Sequence, residues 1–218
     1  MIEALNREAV TYEGQFGSFT IDKQDRLEVI IYRGGLILSA VSFAIATNLV
    51  VSQGEAAGWW LTPLFASFSL GLGVSLLYIH IYLKALHLLL QVFWLVGTVS
   101  AIAIGLQANE PLALYVYHQP KTLLGVGFTF AALTGIYFKE AFCFNRLETK
   151  ILTPVVPFLL LGHLAGLLPL DIETVLLAIW TIGFTVFAGR KMVQEIDPDI
   201  GDKSVFAYLK KSQAEKSS

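Results

Sequence analysis

The side chains best suited to chemistry are four histidines and one cysteine. His163 lies in Gly162-His163-Leu164-Ala165-Gly166, inside an apolar run. A neutral imidazole there would serve as an axial ligand to chlorophyll magnesium or haem iron, or as a hydrogen-bond partner between helices. His80 and His87 stand on either side of Lys84. They are expected at similar depth across a turn, either paired as cofactor ligands or facing lipid headgroups. His118, beside Pro120, is expected in a solvated loop. Cys143 excludes an internal disulfide and a multi-cysteine zinc site, since it is the only cysteine. It reads as a bystander thiol or as a site of acylation or redox sensing. No GxSxG, HExxH or paired-aspartate motif is present, so no catalytic set and no metal set is assigned. Chlorophyll, carotenoid or haem is the cofactor class that His163, His80 and His87 would suit.

The elements that hold these residues follow from composition. The chain has 218 residues, 55% apolar and only 15% charged, with a net charge of −2. Its mean hydropathy is +0.64. Soluble domains carry roughly 25% charged residues, so this is a membrane protein rather than a soluble enzyme. The balanced charge gives no general attraction for nucleic acid. A membrane helix needs about 20 mostly apolar residues. Six stretches approach that length: residues 34–51, 59–83, 85–106, 122–138, 151–168 and 172–188. The fourth and sixth are short and should stand upright or extend into their flanks. The predicted fold is an all-α membrane protein, a bundle of about six transmembrane helices. A hairpin is expected near Lys84, because one helix of nearly double length exceeds what a bilayer needs.

Charge sets the orientation. With six spans, fourteen of the fifteen Lys and Arg fall on one side, and only Lys121 on the other. Basic residues stay preferentially in the cytoplasm. Both termini are therefore predicted cytoplasmic, or stromal in a plastid. Trp59, Trp60, Tyr115 and Tyr117 would anchor the opposite interface. The division is a segment 1–33, a transmembrane domain 34–188 and a tail 189–218. The polar first segment has no apolar run of a cleavable signal, so the first span is expected to insert uncleaved. Residues 11–21 suggest a short hairpin, and Asp25 with Glu28 a capped helix start. In the tail, Ser204 to Lys211 could form an amphipathic turn, with Phe206 and Leu209 dipping into the surface and Lys210 and Lys211 at anionic headgroups.

No acidic residue falls inside the core of a proposed span, and no Lys or Arg does apart from the interfacial Lys84. Proton-driven carriers usually keep ionisable groups at membrane depth, so their absence disfavours that class. Small residues recur four apart at Ser67, Gly71 and Ser75, at Gly97, Ala101 and Gly105, and at Gly127, Ala131 and Gly135. Such faces allow close helix packing, or could receive a lipid or pigment ring. Pro154 and Pro157 should kink the fifth span.

Two blocks carry a family resemblance. They are Tyr12 to Phe19 followed by Asp25 to Leu36, and Lys139-Glu140-Ala141-Phe142-Cys143-Phe144-Asn145-Arg146-Leu147-Glu148. Together they resemble an uncharacterised integral-membrane family typical of cyanobacteria and chloroplasts. The resemblance implies an oxygenic phototroph and its thylakoid membrane, and no catalytic residues. It points to an accessory or assembly factor that meets photosystem subunits through Arg26, Glu28, Arg33, Glu140, Phe142, Arg146 and Glu148. Two other readings stand beside it. One is a passive channel for a neutral solute along Asn48, Gln91, Thr98, Ser100 and His163. The other is a histidine-ligated pigment or haem protein.

Overall fold

The computed structural model describes residues 7–206, 208 and 209. A hairpin opens the chain: β1 (Val10–Gly14) pairs antiparallel with β2 (Gly17–Ile21), closing at Gly14 opposite Gly17. Gly17 has φ +125°, which its missing Cβ permits at the tight turn. Helix α1 (Lys23–Gln53) follows. Its cap is Asp22 rather than Asp25. The Asp22 carboxylate accepts from the Asp25 N–H at 3.0 Å, and Asp25 accepts from the Asp22 N–H at 2.9 Å. Both Asp22/Asp25 and Asp25/Glu28 have the spacing of three, and the capping box forms one turn earlier than expected.

At 1.5 Å per residue α1 is about 46 Å long, well beyond a bilayer core. Its first turns therefore project from the membrane. A 3₁₀ turn at Gly54–Ala57 leads into α2 (Gly58–Tyr78). Among the described residues, five helical stretches are long and apolar enough to cross a membrane. The first, Lys23–Tyr78, comprises α1 and α2 lying side by side, so six membrane-length helices are present.

The remaining elements are α3 (Lys84–Gln107), the short α4 (Leu112–His118), α5 (Leu123–Phe144), α6 (Leu147–Leu164), α7 (Leu170–Val193) and α8 (Asp197–Ile200). Each long helix packs on the next, and α7 returns to α1. The result is a closed up-and-down ring of six. An even number of crossings puts both ends of the chain on one side, called here the terminal end. The short spans lengthen into their flanks, one of the two expected outcomes. The fourth and sixth extend to 22 and 24 residues, and the fifth is the shortest at 18. Pro154 and Pro157 are interior to α6, which continues through both.

The turn before Lys84 is not a bare helical reversal. Residues 79–83 are non-helical, and Ile79 and Ile81 are buried in the core. The end of α2 leaves carbonyls without intrahelical donors. His87 Nε2 meets the Leu76 carbonyl at 2.6 Å, and Gln91 donates to the same oxygen at 3.1 Å.

Small residues set the closest helix pair. Gly35 and Gly71 face each other, Ser39 donates to Phe68 O at 2.9 Å, and Ser75 donates to Tyr32 O at 2.9 Å. The ring's centre is aromatic: Phe43 lies 4.5 Å from Trp180, Phe130 5.3 Å from Trp180, and Trp180 donates to Tyr137 Oη at 3.2 Å. Outward positions such as Leu88, Leu95, Val99 and Ile102 are exposed and apolar, as a lipid-facing surface requires.

Candidate functional site

At the terminal end, the last turns of α5 and α7 and the projecting part of α1 converge beneath α8. Arg33 of α1 donates Nε and Nη2 to Asp199 Oδ2 at 2.9 and 2.6 Å. Its other donors take the Gln194 and Glu195 carbonyls at 2.6 and 2.7 Å, just past the end of α7. One guanidinium thus neutralises a carboxylate and satisfies carbonyls freed by a helix end. Lys191 of α7 bridges Asp199 Oδ1 and Glu140 Oε2, the latter at 2.6 Å. Lys139 donates to Glu140 Oε1 at 2.9 Å, and Tyr32 donates to the same oxygen at 3.4 Å. The Phe144 ring lies 4.2 Å from Lys191 Nζ and 5.4 Å from Lys139 Nζ. All five charged side chains are between 0 and 9% exposed.

These charges lie past the apolar span cores rather than inside them. Lys139, Glu140 and Lys191 lie within α5 and α7, because both helices run beyond their apolar runs. Burial pushes the Asp199 carboxyl upward, but Lys191 and Arg33 outweigh it and hold it below the ordinary range.

An outer layer clamps the two ends of the chain. Tyr12 donates to Asp197 at 2.8 Å, the Gln15 N–H to Asp202 at 2.7 Å, and the Phe16 N–H to Ser204 Oγ at 3.1 Å. Lys203 reaches Asp25 at 2.7 Å. Arg26 donates to the Arg7 and Glu8 carbonyls at 2.9 and 3.1 Å. Ile196 and Ile200 pack with Ile21 and Val29 beneath. Phe206 rests on Tyr82 at 5.3 Å, so it faces protein rather than headgroups. Lys210 and Lys211 lie outside the described residues.

Beside the network is an open pocket of about 770 Å³. His80, Tyr82, Leu83, Leu86, Phe138, Phe142 and Cys143 line it, with Lys139 and Asp199 where it meets the network. Burial lowers the readiness of His80 to protonate, although Glu28 at 3.4 Å opposes this.

The residues expected at a docking face divide in two. Arg26, Arg33 and Glu140 are enclosed and spend their charge internally. Phe142 is 83% exposed, and Glu28 is partly so. Arg146 donates to Gln194 Oε1 at 2.7 Å, and Glu148 accepts from Arg190 at 3.1 Å. Lys139, Lys191, Asp199, Tyr32 and Gln194 were not among the site residues expected from sequence, although Asp199 belongs to an acidic patch in the tail. The signal was topological: Arg33 precedes the first span, Lys139 and Glu140 follow the fourth, and Lys191 follows the sixth. A six-span bundle brings those flanks to one end at similar depth.

Each of the three histidines expected to hold a cofactor has a protein partner. His163 Nδ1 is 2.7 Å from Glu173, Nε2 is 3.2 Å from the Tyr117 carbonyl, and the ring stacks on Tyr117. An axial ligand needs a free nitrogen lone pair facing open space, and both nitrogens here face acceptors. His87 is committed to Leu76, and its Nε2 does not face His80, whose own Nε2 faces Glu28. The contacts of His163 leave neither nitrogen free for axial ligation, and those of His80 and His87 lend the pigment or haem reading no support. Among the described residues, no group of three or more His, Cys, Asp or Glu could hold a metal ion.

Residues 74–208 match the family described as uncharacterized integral membrane protein (DUF2301). An uncharacterized protein from Haemophilus influenzae is 30% identical over 189 residues, covering 85% of this chain and 94% of the relative. No solved structure matches. With the six-helix ring and the length of both matches, the chain belongs to this integral membrane protein family.

Proposed function

We propose that this chain is a non-enzymatic membrane accessory protein whose terminal end, in the cytoplasm, is a preformed docking platform for a membrane complex. The observation that carries the reading is the cross-braced cap. Arg33, Glu140, Lys191 and Asp199 tie α1, α5, α7 and α8 together, while the hairpin is clamped to the C-terminal segment. Buried ion pairs contribute little net stability against apolar packing, and their best-attested use is to fix one geometry. A fixed polar end on a lipid-facing bundle suits recognition. The fourteen basic residues on this side support the cytoplasmic orientation.

The sequence resemblance implies a photosynthetic complex as the partner and the thylakoid as the membrane. That part of the reading rests on the resemblance alone. A photosystem would be the partner in a phototroph. The channel reading draws no support from the interior. Asn48 is exposed, Gln91 is spent on Leu76, and Thr98 bonds Ser69 at 2.8 Å. Phe43, Phe68, Phe130 and Trp180 fill the middle. Gentle extraction of tagged protein from its native membrane, read by mass spectrometry, tests the docking reading through co-purification in fixed proportion.

A further inference from the structure

We infer that the pocket beside the charge network holds the headgroup of an anionic phospholipid from the leaflet at the terminal end. The network has three cations, Arg33, Lys139 and Lys191, against two anions, Glu140 and Asp199. One positive charge is left over among side chains almost removed from water. Unpaired charge in such surroundings is costly, so it recruits a counter-anion or is discharged by loss of a proton. Asp199 is already bound by Arg33 and Lys191, and Glu140 by both lysines. Lys139 is the cation that also reaches the pocket lining.

The pocket walls suit an amphiphile. Leu83 and Phe142 are 62 and 83% exposed at its rim, and Phe138 is also exposed on the outer face of α5. This apolar rim lies where α3 begins and α5 ends, so it is continuous with the lipid-facing helix surfaces. A headgroup entering sideways would set its phosphate by Lys139 and leave its acyl chains along Phe138 and Leu83. Anionic lipids already concentrate at basic membrane-flanking segments.

Cys143, the only cysteine, is exposed and lines the same pocket. The full-length protein is reconstituted in nanodiscs of phosphatidylcholine, with or without phosphatidylglycerol, and the rate of maleimide reaction at Cys143 is measured. Phosphatidylglycerol is expected to slow the reaction several-fold. A Leu147→Cys, Cys143→Ser protein reports the general effect of surface charge and should slow much less. Lys139→Gln should abolish the extra protection. Leu83→Asp, at an exposed rim position, should abolish it too, and keeps the test open if Lys139→Gln does not fold. Equal slowing at both cysteines, or none at Cys143, overturns the inference. Equal protection by inorganic phosphate in phosphatidylcholine discs also overturns it, assigning the site to a free anion. The measurement needs no partner protein, so its failure leaves the docking reading standing.

Discussion

Asp199 joins the terminal end together, because one carboxylate accepts from Arg33, Lys191 and Gln194. Its carboxyl is held below the ordinary 3.8 of an aspartate. A depressed folded-state value gives stability that is present above the unfolded value and lost as pH falls through the folded one. Asp199→Asn should therefore be less stable than wild type at neutral pH. The gap should narrow as pH drops below 3.8 toward the folded value. Thermal melts in detergent across that range check it, and a gap constant with pH would contradict it. Sequence made Arg33 and Glu140 visible but not their burial. Both sit beside apolar runs, where an exposed interfacial charge and an enclosed one look the same. Only the junction of three span ends beneath α8 distinguishes them. His163 was equally visible, but its partners Glu173 and Tyr117 come from other elements.

The helices were largely legible, since six apolar runs of near-bilayer length leave few alternatives. Their ends were not. Lys139 and Glu140 in α5 and Lys191 in α7 find buried partners past the apolar runs, which local hydropathy does not register. Small-residue faces were legible only in part. Gly35 and Gly71 are in backbone contact, whereas Gly105 has open space and Gly127 only an ordinary contact where a Cβ would stand. A Cβ on Gly71 would lie 2.6 Å from Gly35 O, so α1 and α2 would have to separate. Gly71→Ala should cost about 1–3 kcal/mol through overpacking. Gly34→Ala meets nothing within 4 Å and should be neutral or stabilising by about 1 kcal/mol from helix propensity. Comparative unfolding of the two variants in the same detergent checks the ordering, and equal effects would remove the close-approach explanation.

Across the whole molecule, an even ring of helices sets both described ends on one side, and the proposed orientation, drawn from the charge bias, makes that side cytoplasmic. Cys143 at the terminal end should react with an impermeant maleimide in inside-out vesicles and not in right-side-out ones. Glu55→Cys in a Cys143→Ser background, at the opposite turn, should show the reverse. The same labelling pattern for both would refute the topology. Docking of a membrane complex by the braced end is tested by co-purification from the native membrane. Subunits of one complex should accompany the wild-type chain in fixed proportion. They should be lost with Phe142→Asp, a change at an exposed position that leaves the ring intact. A chain that emerges alone, or companions unchanged by Phe142→Asp, would contradict docking.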